Sequence, residues 1–310
     1  MNIYQIEDDN YVAKINLSRG ANCFSLRSKK YHAQILREAD YTVPLDNPYL
    51  YGMPILFPVN RISGGRFVFE GREYIFPINE PHTGCHLHGI LHETEFQMVE
   101  NGDDYLIACY RATKDKPYMQ FPHEFEVSIR YCLSEKGLEQ QTEITNLSRE
   151  NMPVMIGFHT TFQIPFMEHQ EADDLRIYAD VTDLIERNMD TYLPTGKIIQ
   201  SDEVTEKLRC GEFKPWEQKI SCHYKSVKDG ILSIHDVKRN LSIQYLNSSN
   251  MQFRLLYNGD ANEYICLEPQ NCMVNCLNED VEEEYSGFEY LKPSEKKIYT
   301  SKIYITQDVQ

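Results

Sequence analysis

The chain has 310 residues, enough for one large β domain or two ordinary ones, and enough to bury a sizeable core. Its 47 acidic residues against 31 basic ones leave a formal net charge of −16, which argues against nucleic acid or an anionic membrane as partner but leaves room for a small basic pocket. No run of 18 apolar residues and no basic-then-apolar leader is visible, and nine cysteines without a CxxC pair read as free thiols, so the expectation is a cytoplasmic protein with no membrane span.

In chain order, residues 10–38 predict two or three short strands, with Ala13, Ile15 and Leu17 alternating with Val12, Lys14 and Asn16 before a turn at residues 18–22. From Gly52 to Glu93 the chain packs prolines, the Asn60-Arg61 pair and a Gly64-Gly65 turn together. A hairpin follows around Glu70-Gly71-Arg72, and then four histidines: His82, His86, His88 and His92. Another strand pair is expected about residues 101–104. The period of two is cleanest from Phe125 to Leu133, where Phe125, Val127, Ile129, Tyr131 and Leu133 share one face. Residues 134–137 turn this strand back on itself. Later segments around residues 231–246, 251–258, 263–269 and 296–306 have the same character. Helix is expected only as single turns, at residues 115–124 or 201–209, and the acidic run at 278–284 reads as a solvated loop. No composition shift divides the chain, so residues 1–310 are expected to form a single all-β domain. With so many short antiparallel strands, stacked sheets in a large β-sandwich are the natural solution.

Four polar positions stand out against this background. Arg61 follows an apolar run. His88 precedes Gly89, which permits close approach of a ligand or another backbone. His159 ends the apolar segment Val154-Met155-Ile156, where a titratable group must be paired or wet. Glu268 follows Tyr264-Ile265-Cys266-Leu267, a setting that invites a raised pKa or a firm partner. Each residue alone is also compatible with a surface or purely structural role.

Taken as an ordered set, these pieces resemble the aldose 1-epimerase, or galactose mutarotase-like, family. The resemblance rests on Asn60-Arg61-Ile62, Leu87-His88-Gly89, Gly157-Phe158-His159, Pro194-Thr195-Gly196 and Leu267-Glu268-Pro269-Gln270, and runs from about Gly20 to the C-terminus. It implies a supersandwich fold with a groove across one sheet. It further implies cofactor-free interconversion of the α and β anomers of a free aldose. Glu268 would be the base at the C1 hydroxyl and His159 the acid at the ring oxygen. Arg61, His88, Asn60 and Gln270 would bind the sugar, and no metal would be needed. The partner is then a small-molecule sugar, and the oligomeric state, monomer or homodimer, is open. One position departs from the pattern: Ser221 stands where family members often carry an aspartate that binds sugar hydroxyls, and His223 either substitutes for that contact or lies on the surface. His82, His86 and His92 are expected to be structural or peripheral.

Three alternatives remain from the sequence alone. His86, His88 and Glu93 look like the first motif of a metal-binding cupin, although Glu80 occupies that motif's glycine position. A carbohydrate-binding protein of the same fold without turnover is a second. A hexose-6-phosphate 1-epimerase drawing on Arg61, Arg66 and Arg72 is a third.

Overall fold

The computed structural model describes residues 2–227, 230–259 and 263–307. It is an all-β sandwich built on two eight-stranded antiparallel sheets. The first runs Gln97–Asn101, Tyr105–Ala112, Phe125–Ser134, Gly137–Asn146, Lys296–Gln307, Leu241–Asn247, Ile231–Asp236, Leu175–Ala179. The C-terminal Lys296–Gln307 strand sits between Gly137–Asn146 and Leu241–Asn247, so the end of the chain joins the sheet's two halves.

The alternation that predicts Phe125–Ser134 is the alternation observed. Phe125, Val127, Ile129, Tyr131 and Leu133 are all buried, and each such side chain contributes about 1.5–3 kcal/mol relative to an exposed one. The hairpin at Glu70-Gly71 also forms as expected. Both turn residues have positive φ, 48° and 75°, the twist that matches two antiparallel strands.

The second sheet runs Pro194–Ile199, Val181–Arg187, Ser221–Ser226, Phe253–Tyr257, Tyr264–Gln270, Gly157–Phe158, Ile55–Leu56, with Thr160–Gln163 also pairing with Tyr264–Gln270. Phe162 and Thr160 reach the first sheet through Tyr245, with rings 5.5 Å apart and hydroxyls 2.8 Å apart. One continuous apolar core spans Ile6 to Ile305.

Helix is sparse. Glu203–Cys210 forms where a helical turn was expected, capped by the Asp202 carboxylate accepting from Thr205 N–H and ended by Gly211 in the left-handed region. Residues 115–124 do not form one; Tyr118 and Phe121 bridge instead. The acidic run stays largely exposed and ends in the short Glu283–Ser286 helix. Among the described residues no helix is long and apolar enough to cross a membrane.

Candidate active site

Strand register brings together the two residues on which acid–base chemistry would depend. Gly157 lies opposite Gln270, and Thr160 opposite Leu267. The same register sets His159 opposite Glu268, and His159 Nε2 is 3.3 Å from Glu268 Oε1. Because Thr160 and Phe162 point to the core, His159 and Thr161 point to the sheet's other face, and there Thr161 meets Cys266 at 3.3 Å.

Glu268 is 1% exposed, and neither carboxylate oxygen accepts a hydrogen bond among the described residues. Burial pushes its pKa up from 4.5 to about 8, against the opposing pull of the Arg187 and Arg61 charges. Burial likewise drives His159 down to about 3. At neutral pH these opposite shifts leave a proton on Glu268 and the His159 ring neutral.

Arg61 and His88 come to the same cavity from neighbouring strands, Arg61–Ser63 and Cys85–Leu87. Arg61 Nε and Nη2 each donate to Glu80, both at 2.7 Å, and its guanidinium lies 4.5 Å from the Tyr192 ring. Burial favours the protonated Glu80, but hydrogen bonds from Arg61 and Thr83 outweigh it and hold the carboxyl below its usual range. His88 is buried, and desolvation first, then His159 and Arg61, keep it neutral. The Asn60 backbone N–H donates to His88 Nδ1 at 3.2 Å. The ring proton therefore sits on Nε2.

Asn60 lines the cavity. Gln270 does not: it is fully buried behind Asn60, its Oε1 3.4 Å from Asn60 Nδ2. It positions a wall residue, contrary to the expected direct contact with sugar. His223 is also reassigned. It is buried, stacked on Phe253 at 5.4 Å, and accepts from the Val274 N–H. It is neither a surface residue nor part of the cavity wall. Of the remaining histidines, His92 supports Tyr49 with rings 4.5 Å apart, His86 is held near the Pro77 carbonyl and against Phe76, and His82 lies exposed at the rim beside Glu80.

Three wall residues escape sequence reasoning. Tyr49, in the turn after Asn47, packs on His88 and His159. Tyr192 covers Arg61 from the loop after Val181–Arg187. Arg187 is 8% exposed, and its Nη2 donates to Ser221 O at 2.6 Å and Ser221 Oγ at 2.9 Å. Two residues beyond Ile185 on the strand's own alternation, it shares that residue's face, and the register irregularity beside it places its extra residues on the Pro194–Ile199 strand. Arg187 ends the strand on its buried phase, where a charged residue gives no apolar signal; the only nearby signal is the Pro194-Thr195-Gly196 segment that pairs with it.

The cavity encloses about 480 Å³, in the range of small-ligand sites. A larger hollow of about 620 Å³ near Arg27 and Phe166 contains no comparable acid–base pair. The cupin-like trio does not converge, since His86 and His88 are held apart as described and Glu93 lies near the surface, 3.9 Å from Arg19. His159, Cys266 and Glu268 do present ligand atoms within 4.8 Å of one another, and these are the residues that could hold a metal ion.

The comparisons with known proteins agree with this architecture. The family model described as aldose 1-epimerase matches residues 2–304. A galactose mutarotase-like protein from Clostridium acetobutylicum superimposes with a TM-score of 0.92 at 28% identity, covering 98% of this chain and 95% of that one. The GalM/aldose epimerase homologue from C. elegans superimposes with a TM-score of 0.77 at 15% identity, covering 99% of each chain, a likeness of fold. Among curated relatives, YphB of Escherichia coli K12 is 31% identical over 111 residues, 36% of each protein. The plasmid-encoded LacX of Lactococcus lactis is 26% identical over 139 residues, 44% of each. The matched stretch thus spans well under half the length of these curated relatives. With the family model covering nearly the whole sequence, the chain belongs to the aldose 1-epimerase family and adopts its galactose mutarotase-like sandwich.

Proposed function

We propose that the protein is a cofactor-free aldose 1-epimerase in which Glu268 and His159 open and reclose the sugar ring. The observation that carries this reading is the 3.3 Å contact between the two side chains at the floor of a sugar-sized cavity. Ring opening of a cyclic hemiacetal removes a proton from the C1 hydroxyl, adds one to the ring oxygen and breaks the bond between C1 and that oxygen. With the pair as Glu268 carboxylate and His159 imidazolium, Glu268 takes the first proton and His159 gives the second. The open-chain aldehyde then rotates about C1–C2. Reclosure on the other carbonyl face runs both transfers backwards and restores the pair. Each positioned group of this kind typically contributes 10²–10⁴-fold.

Burial favours the neutral tautomer of the pair, whereas the Arg187 and Arg61 charges favour ionised Glu268. The two arginines bring the reactive ion-pair form within reach. Asn60, Arg61 and the Nε2–H of His88 orient the sugar oxygens, and Tyr49 supplies an apolar wall. The nine unpaired cysteines fit a reducing compartment such as the cytoplasm. The test is polarimetry of freshly dissolved α-aldoses: faster mutarotation with enzyme supports the assignment, and no acceleration of any aldose would leave a sugar-binding protein instead.

A further inference from the structure

Resting on that functional reading, we infer that the preferred substrate is an aldose bearing an oxyanion substituent, a carboxylate, sulfate or phosphate, and that Arg187 receives it. Arg187 is a cation taken almost wholly out of water. Among the described residues its hydrogen-bond acceptors are Ser221 O and Oγ, both neutral, and no carboxylate lies within ion-pair distance of it. Arg61, on the same cavity, is neutralised by its two bonds to Glu80. Arg254, more deeply buried, donates to the Met251 and Phe253 carbonyls with Gly230 O 3.5 Å away, and does not line the cavity. Arg187 therefore differs from both: it is a cation on the cavity wall with unused donor capacity.

Burying such a charge unpaired is costly unless an anion completes it. A planar guanidinium suits carboxylate, sulfate and phosphate oxygens through paired donors. Arg61 lies close by through the shared Tyr192 ring, but its charge is already met by Glu80, which leaves Arg187 as the guanidinium with donors to offer. Ser221 sets the preference. A carboxylate at this position, with its oxygen near the present hydroxyl 2.9 Å from Arg187 Nη2, would pair with the guanidinium; the hydroxyl leaves the charge open. Of the arginines offered from the sequence for a phosphorylated sugar, Arg61 lines the cavity and is engaged by Glu80, whereas Arg66 and Arg72 are exposed and face Glu73 and Glu150.

The experiment compares neutral and anionic members of matched pairs, by NMR anomer exchange for turnover and by calorimetry for binding. Glucose is set against glucuronate, glucose 6-sulfate and glucose 6-phosphate, and galactose against galacturonate. The wild type is expected to favour at least one anionic member by tenfold or more in kcat/KM, mainly through KM, with the advantage shrinking at high salt. The best of the three substituents identifies the oxyanion. Arg187→Gln should raise KM for that anionic aldose at least tenfold more than for its neutral parent. Ser221→Asp should shift preference toward the neutral sugar. Equal handling of neutral and anionic pairs by the wild type, or equal losses on both in Arg187→Gln, overturns the inference. Turnover of neutral aldoses without anion preference would sink this inference and leave the epimerase assignment standing. Arg187-dependent binding of anionic sugars without turnover would do the reverse.

Discussion

The Asn60 backbone N–H donates to His88 Nδ1 across 3.2 Å, while the His88 N–H returns a bond to Asn60 O at 3.1 Å. Both residues hold left-handed backbones, φ 60° and 65°, flanking the Arg61–Leu87 pairing. This reciprocal lock fixes the His88 tautomer. Its ring should present a protonated Nε2 and a bare Nδ1 in ¹⁵N NMR spectra, and should not titrate near pH 6.5. A His88 ring that gains a proton near that pH would remove it as a neutral hydrogen-bond donor to sugar.

Stability should decline over a defined pH window because of Glu268. Between pH 4.5 and 6.5 the folded pair keeps its proton on Glu268 and the unfolded pair on His159, so the two contributions cancel. Above 6.5 the unfolded pair has released that proton, while the folded pair holds it up to about 8. The native state then binds more protons, and stability falls by roughly 2 kcal/mol across the window. Urea unfolding at the two ends of the window, for wild type and Glu268→Gln, measures it. The variant should lack the decline. An identical decline in both proteins would assign it elsewhere.

Gly89 holds the turn beyond His88 against the preceding apolar run. Its φ is +61°, and an added Cβ would sit 1.8 Å from the Phe57 carbonyl oxygen, which the Tyr118 hydroxyl also engages. Backbone cannot give way as a flexible side chain would, so Gly89→Ala should cost about 2–4 kcal/mol or prevent folding. A melting temperature within a degree or two of wild type would show that the turn can rearrange.

Glu80 neutralises Arg61 and aims it. Both side chains are largely buried, so Glu80→Ala strands a cation and removes the fork that orients it. The expected result is a loss of about 2–3 kcal/mol of stability and roughly a tenfold rise in KM. Unchanged KM would mean that Arg61 does not contact the sugar.

Much of this was legible in the sequence because period-two alternation and turn chemistry act locally. Phe125–Ser134, the Glu70-Gly71 hairpin and the helical turn after Asp202 all form where residue pattern places them. The ordered motifs also located Arg61, His88, His159 and Glu268 on one cavity. What was hidden depends on register and tertiary context. Arg187 keeps its strand's period of two, but that a charged residue on that phase is buried in the cavity wall depends on the strands packed around it. Gln270 sits behind Asn60 instead of beside it on the wall, and His223 is sealed against Phe253. Tyr49 and Tyr192 lie on turns whose placement is fixed by distant strands.

The central claim is that Glu268 and His159 together move the protons of ring opening. The most direct measurement is the mutarotation rate of the best aldose with wild type, Glu268→Gln and His159→Asn, each checked for native folding. The account predicts that each variant loses at least 10²-fold in kcat, and that the double variant loses far less than the product of the two because the residues act as a unit. A folded Glu268→Gln protein as fast as wild type would contradict it.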